Sequence, residues 1–282
     1  MTDLSQLPQD RYLKIDTVNV RYWEAGNEGK PVILLHGAGS CVEIWSFNIR
    51  ELAKHYRVYA FDMVGTGLSD KPNTSYSVNY QAEFLQRFMD ALELNRASLI
   101  GNSMGGGIAL KFALKFSERV DKLVLVSSFG LGKEIDFSDR LLAAFPAIVN
   151  FVPPSRRGVR LVLNSCVYDS KLLPKEWVEQ SYQFFKLPDA RKALISLIKN
   201  NLNFWGVRPE VFEPIVNRLN RIVAPTLIFW GKQDKILPVD HAYLAEAKIP
   251  NVKLCVFDRC GHWAQAEHPQ RFNQLTQDFL SK

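Results

Sequence analysis

The sequence predicts an α/β fold, a doubly wound and mostly parallel sheet with a helical lid inserted after the sixth strand. Three observations carry this expectation. Short and almost continuously apolar runs, such as Pro31-Val32-Ile33-Leu34-Leu35 and Leu123-Val124-Leu125-Val126, suit strands buried on both faces. These runs alternate with stretches whose apolar residues recur at helical spacing. The alternation then stops after residue 130 and resumes near residue 221, which assigns 1–130 and 221–282 to the core and 131–220 to a lid.

The chain is long enough for one large domain of this kind. Its 282 residues are 47% hydrophobic and 23% charged, an ordinary globular composition that supports a sizeable core. The net charge of +6 is scattered, without a run of five like charges, and argues against a nucleic-acid partner. The four cysteines, Cys41, Cys166, Cys255 and Cys260, form no Cys-x-x-Cys pair and no Cys/His cluster of metal spacing. Neither metal nor cofactor is expected. Met1 to Asp10 is polar and unlike a secretory signal, and no apolar run approaches the ~18 residues that span a bilayer. A cytoplasmic protein with reduced thiols and a small-molecule substrate is expected, its oligomeric state left open.

Taken in order, Tyr12 to Ile15 and Val18 to Trp23 alternate apolar and polar residues around Asp16-Thr17, the pattern of an edge hairpin. Strands follow at Pro31 to Leu35, Arg57 to Phe61, Ala97 to Ile100, Leu123 to Val126, Pro225 to Trp230 and Lys253 to Phe257. Helices are expected over Val42 to His55, Tyr80 to Leu92, the stretch from Met104, Val239 to Ala247, and the C-terminal segment carrying Phe272, Leu275, Phe279 and Leu280. Within 131–220, Pro174 and Pro188 fall where helices begin, and Leu194, Leu197, Ile198, Leu202 and Trp205 mark one helix face. The aromatic side chains of this segment suit a lid over an apolar pocket, or the lid's own core.

Gly101-Asn102-Ser103-Met104-Gly105, between a strand and a helix, has the form of a nucleophile elbow. A serine hydroxyl needs a base, and the base needs an orienting acid. Of the five histidines, His55 lies in a surface-type helix, His241 and His268 lie at helix starts, where solvated or capping roles are expected, and His36 belongs to the turn after the third strand. His262 follows the last strand, at the edge where parallel strands present their carboxyl ends. Asp234 follows the preceding strand and would alone read as a turn-capping aspartate. The order Ser103, Asp234, His262 makes the three a candidate triad. The N–H of Met104 and that of Ala38, between Gly37 and Gly39, are the candidate oxyanion donors. Asp62 to Ser69 reads as a structural turn, with Asp62 accepting backbone N–H bonds.

These motifs together resemble the α/β-hydrolase family over essentially the whole chain, which implies a serine hydrolase without cofactor. Gly101-Asn102-Ser103-Met104-Gly105-Gly106, Phe129-Gly130-Leu131-Gly132 and Arg259-Cys260-Gly261-His262-Trp263-Ala264-Gln265 resemble, more narrowly, the meta-cleavage-product hydrolases, which cut a carbon–carbon bond in 2-hydroxy-6-oxo-dienoates. That resemblance implies substrate-site roles for Asn102 and Trp263, beside Gly37 and Gly39. Two positions depart from it: the asparagine expected after Trp45-Ser46 is Phe47, and a lid arginine is replaced near Ser181, with Arg191 nearby. A dienoate carboxylate then lacks a partner. The expected reaction is hydrolysis of a small, largely apolar carboxylic ester. The alternative is carbon–carbon hydrolysis of dienoates, and the third reading is a non-catalytic small-molecule receptor.

Overall fold

Apolar strands that alternate their side chains between two helical layers build one eight-stranded sheet. In the computed structural model, residues 7–282 are described; the reading of Met1 to Asp10 rests partly on residues 1–6, outside the described residues. The strands are β1 (Arg11–Ile15), β2 (Val18–Ala25), β3 (Pro31–Leu35), β4 (Arg57–Phe61), β5 (Ala97–Asn102), β6 (Val120–Val126), β7 (Thr226–Gly231) and β8 (Val252–Phe257). Their order across the sheet is β1-β2-β4-β3-β5-β6-β7-β8. β2 pairs antiparallel with β1 and β4, and every other neighbouring pair is parallel.

The period of two sorts each strand between two cores. Ile33, Leu35, Leu99, Leu123, Leu125, Ile228 and Trp230 join one hydrophobic cluster. Val32, Leu34, Ile100, Val124, Val126, Leu227 and Phe229 join the other. Before the insertion lie α1 (Ile49–Leu52), α2 (Val78–Ala91) and α3 (Met104–Lys115). The insertion between β6 and β7 holds α4 (Phe137–Ala144), α5 (Arg156–Ser165), α6 (Lys175–Lys186), α7 (Ala190–Asn201) and α8 (Pro209–Val216). After it come α9 (Asp240–Lys248), α10 (Ala264–Glu267) and α11 (Pro269–Leu280).

Three local expectations differ from the structure. Val42 to His55 is not one helix but a 3₁₀ turn over Val42–Trp45 and the four-residue α1. Tertiary bonds divide it: Asp62 Oδ1 accepts the Val42 N–H at 2.9 Å, and the Asn48 amide donates to the Gln265 carbonyl and Asn273 Oδ1. Leu202 and Trp205 do not continue the α7 face. The chain turns there into a ladder of Leu202–Asn203 with Gly206–Val207, and Trp205 is 73% exposed. The reversal needs Gly206 at φ +119°, where an added Cβ would meet the Lys133 carbonyl at 1.8 Å. His241, expected in a solvated or capping role, is buried beside Trp230, with Nε2 at 3.2 Å from Glu134.

The close packing of α3 on β3 sets a sharp test. A Cβ at position 105 would lie 2.2 Å from the Leu35 carbonyl oxygen, whereas one at Gly158 meets only the Ser155 hydroxyl, at 3.1 Å. Gly105→Ala is expected to cost at least about 3 kcal/mol in urea unfolding, and Gly158→Ala to change stability by less than about 1 kcal/mol. Equal midpoints for the two variants would contradict the packing described.

Candidate active site

β5 ends in a turn that only small flanking residues permit. Ser103 caps α3 with φ +53° and ψ −122°, a left-handed conformation costly for any residue with a side chain. The surroundings over-determine it. The Ser103 N–H donates to the Val126 carbonyl at 2.9 Å, and its own carbonyl accepts from Gly106 and from Phe129. A Cβ at Gly101 would meet the Gly105 carbonyl at 2.3 Å. The serine therefore stands at the carboxyl edge of the sheet, with Met104 as the first residue of α3 and its N–H among the helix's unpaired donors.

The loops after β7 and β8 meet at the same edge. His262 Nδ1 lies 2.8 Å from Asp234 Oδ2, and both side chains are buried. Asp234 Oδ1 accepts the N–H groups of Ile236 at 2.9 Å and Leu237 at 3.1 Å, so both carboxylate oxygens have partners. A carboxylate on Nδ1 holds that nitrogen protonated and leaves Nε2 as the base. Gln233 locks the two loops, donating its N–H to the Cys260 carbonyl and accepting the Cys260 N–H. Asn102 adds a third tie: its amide donates to the carbonyls of Val126 and His262, each at 3.1 Å. It is completely buried, beneath the site rather than on a cavity wall.

The turn after β3 faces Ser103. A Cβ at Gly37 would fall 3.0 Å from Ser103 Cβ and 3.4 Å from Asn102 Oδ1. Ala38 is exposed and, with Gly39 and Trp263, lines a cavity of about 450 Å³ that opens beside the turn. His36 anchors the turn from below. Its Nε2 accepts the Met63 N–H at 2.9 Å, which leaves Nδ1–H to donate to the Gly37 carbonyl at 2.8 Å. Burial pushes its pKa down to about 4, so the ring is neutral.

The insertion closes the far side. Trp177 packs edge-on against Trp263 and at a tilt against Phe47, the position where the resemblance expects asparagine. Ser181 borders both this cavity and an adjoining one lined by Phe184, Phe185, Tyr76 and Lys71. The insertion's other aromatics divide: Trp177 is buried, while Phe137, Phe145 and Phe151 are exposed. Arg191 donates to the Asn150 carbonyl and lines neither cavity.

Two buried acids escaped the sequence reading. Glu267 accepts the N–H groups of Gly261 at 2.7 Å and Tyr168 at 2.6 Å, tying the His262 loop to the insertion, and burial pushes its carboxyl up. The His262 N–H itself donates to the Cys166 carbonyl at 2.7 Å. Glu43 pairs with Arg21 Nη2 at 2.6 Å. Arg21 also bonds Asp62 at 3.2 Å and Asp10 at 2.7 Å; burial opposes its charge, but Asp62 and Glu43 outweigh this and raise its pKa. The signal was an arginine within β2 flanked directly by the apolar, buried Val20 and Tyr22. Among the described residues no group of three or more His, Cys, Asp or Glu could hold a metal. No described helix is long and apolar enough to cross a membrane.

Ser103 follows β5, and Asp234 and His262 follow β7 and β8, all at the carboxyl edge of the sheet. A family model described as alpha/beta hydrolase fold matches residues 30–269, and the chain belongs to that family. It is similar over its whole length to the meta-cleavage-product hydrolases. A 2-hydroxy-6-oxo-6-phenylhexa-2,4-dienoate hydrolase of Burkholderia cepacia is 34% identical over 100% of this chain and 99% of its own. The structure of a meta-cleavage product hydrolase from Pseudomonas fluorescens IP01 superposes with TM-score 0.81 at 31% identity, covering 96% and 97% of the two chains. A membrane phospholipase A, described as a bacterial virulence factor, gives TM-score 0.83 at 26% identity over 99% and 87%.

The neutral, buried His36 makes a pH prediction. Its folded pKa of about 4 lies below the ordinary 6.5, so the unfolded chain binds the proton first as pH falls. Stability is lost between about pH 6.5 and 4, by up to about 3 kcal/mol from this group. The raised carboxyls of Asp62 and Glu267 act in the opposite direction, and they cancel in a comparison with His36→Gln. Urea unfolding at steps from pH 7 to 4 is expected to show a steeper loss for the wild type. Parallel curves would disprove the assignment.

Proposed function

We propose that this α/β hydrolase works as a serine hydrolase on a small, largely apolar carbonyl substrate. Ser103 attacks the carbonyl. His262 takes the hydroxyl proton and returns it to the leaving group, and Asp234 fixes the imidazole and stabilises its cation. The N–H groups of Met104 and Ala38 bind the oxyanion, and Gly37 and Gly39 allow the substrate close approach. Asn102 acts by holding the His262 carbonyl, and Trp263 by walling the cavity. The observation that carries this reading is the 2.8 Å contact between His262 Nδ1 and Asp234 Oδ2 at the edge where Ser103 is held at φ +53°. We place the protein in the cytoplasm; its four cysteines are all free thiols.

For the bond cleaved, we put carbon–carbon hydrolysis of a 2-hydroxy-6-oxo-dienoate-type ketone ahead of the ester reading that the sequence favours. The support is the full-length similarity to hydrolases of such compounds. On this reading His262 also assists ketonisation of the dienol before Ser103 or an activated water attacks. Ester hydrolysis is the second reading, favoured by Phe47 and Ser181, which leave a substrate carboxylate without a cation in the cavity beside the turn.

A side-by-side assay separates the readings. Purified protein is given a panel of yellow dienoates and of short p-nitrophenyl esters. Carbon–carbon hydrolysis is expected to bleach at least one dienoate with kcat/KM at least tenfold above that for any ester; the reverse order establishes the esterase. In either case Ser103→Ala is expected to abolish turnover by several orders of magnitude, and Asp234→Asn to lower kcat by about 10⁴ with the fold retained. Full activity in Ser103→Ala would sink the mechanism. A ligand that raises the melting temperature without turnover would instead support the receptor reading.

A further inference from the structure

The cavity beside the Gly37–Gly39 turn contains an arrangement that the triad does not use. Glu43 lines it and is only 4% exposed. Its Oε1 is taken by Arg21, and its Oε2 meets no donor other than the weak Cys41 thiol. Gln180, on α6, lines the same cavity with a buried and unpartnered Oε1. A buried acceptor without a strong donor costs about 1–3 kcal/mol, so two of them lining one cavity point to a ligand that supplies donors; the unpartnered Trp177 Nε1–H on the same wall leaves room for one acceptor atom, as a hydroxyl or carboxamide carries. Two thiols also line it, Cys41 and Cys166; burial, largest of the causes for both, holds each protonated, and each is a weak donor.

The charge balance excludes the opposite ligand. No lysine or arginine is among the residues lining this cavity. The one cation behind it, Arg21, is shared by Asp10, Glu43 and Asp62. Lys71, in the adjoining cavity, directs two of its donors to the carbonyls of Gly67 and Ser69. An anion placed against Glu43 would meet excess negative charge in a site of low dielectric. Ala38 and Trp263 line the same cavity, which places it beside the turn that faces Ser103, although Ser103 and His262 are not among its lining residues.

From this geometry we infer that Glu43 and Gln180 form a polar subsite that selects substrates whose far end carries an uncharged or cationic hydrogen-bond donor, a hydroxyl, carboxamide or ammonium group, and rejects a carboxylate there. The inference rests on the serine-hydrolase reading of the site for its placement, and it weighs for the ester reading, because a dienoate's carboxylate would be rejected in this cavity.

Binding to the catalytically silenced protein tests it apart from turnover. Ser103→Ala is titrated at pH 7 by calorimetry with four matched probes: 3-phenylpropan-1-ol, 3-phenylpropanamide, 3-phenylpropylamine and 3-phenylpropanoate. At least one donor-bearing probe is expected to bind tenfold or more tighter than the carboxylate. In the double variants with Glu43→Gln or Gln180→Leu the ratio is expected to fall at least fivefold. Gln180 lies on a partly exposed helix outside the ion-pair network, so its variant decides the matter even where loss of the Glu43 charge prevents folding. Carboxylate binding as tight as any donor probe, absence of binding by all four, or a ratio unchanged in the Gln180 variant overturns the inference. Probe selectivity in a protein that turns over neither dienoates nor esters would retain the subsite and remove the hydrolase reading. Turnover without selectivity would do the reverse.

Discussion

The contact on which most of the site's framework depends is the Arg21 guanidinium, buried between Asp62 and Glu43. Arg21 lies on β2, Asp62 just past the end of β4, and Glu43 in the 3₁₀ turn after β3, so one side chain fastens three consecutive strand ends. Asp62 uses its remaining capacity on the N–H groups of Val42 and Leu68. That fixes the start of the cavity wall and the tip of the Asp62–Ser69 turn together. Ser69 closes the ring by accepting the Arg21 N–H and donating to the Asp62 carbonyl. Removing one partner of such a buried set costs about 3–5 kcal/mol, because the others keep charges that water no longer reaches. The guanidinium also lies 5.8 Å from the centre of the Phe184 ring on α6, so the same charge holds the insertion over the cavity.

Much of this molecule was legible in its sequence because the relevant physics is local. Strands buried on both faces must be continuously apolar, and Pro31 to Leu35 or Leu123 to Val126 have no other soluble use. The turn at Ser103 needs glycine on both sides, and both glycines are present where an added Cβ would strike backbone. Asp234 and His262 stand out as candidates by their positions after strands, a topological argument that needs no side-chain detail, and the structure brings the two into contact. What escaped were contacts between distant segments. His241 read as a surface residue, and only Trp230 and Glu134, far from it in sequence, show why it is buried. The broken helix after Val42 is decided by Asp62 and Asn273, and the end of α7 by a glycine that tolerates φ +119°. Such tertiary bonds outweigh the weak helical preference of a short segment.

The insertion is tied to the histidine loop rather than merely laid over it. The Cys166 carbonyl accepts the His262 N–H, while Glu267 accepts N–H groups from Gly261 on one side and Tyr168 on the other. The carbonyl of His262 is in turn held by Asn102, next to Ser103. The backbone of His262 is thus bonded to the insertion through its N–H and to the serine turn through its carbonyl. Its ring position is set by both, and a displacement of residues 166–168 would be felt at the His262 ring without any change at Ser103 or Asp234.

This division of labour explains why the chemistry and the substrate are specified by different parts of the chain. The strand ends place a serine, an imidazole and a carboxylate in an order that suits attack on any accessible carbonyl, whether an ester or a ketone with a carbon leaving group. Choice between them lies in what stabilises the departing group and in which end of the substrate the cavity holds. Here the holding surface is built from Glu43 in the turn after β3 and from Trp177, Gln180 and Ser181 on α6. Phe47 packs on Trp177 outside that lining, an aromatic ring where the resemblance expects an amide. A family resemblance carried by the strand ends therefore transmits the reaction more faithfully than the substrate, because the residues that meet the substrate's far end come from segments the sheet does not constrain.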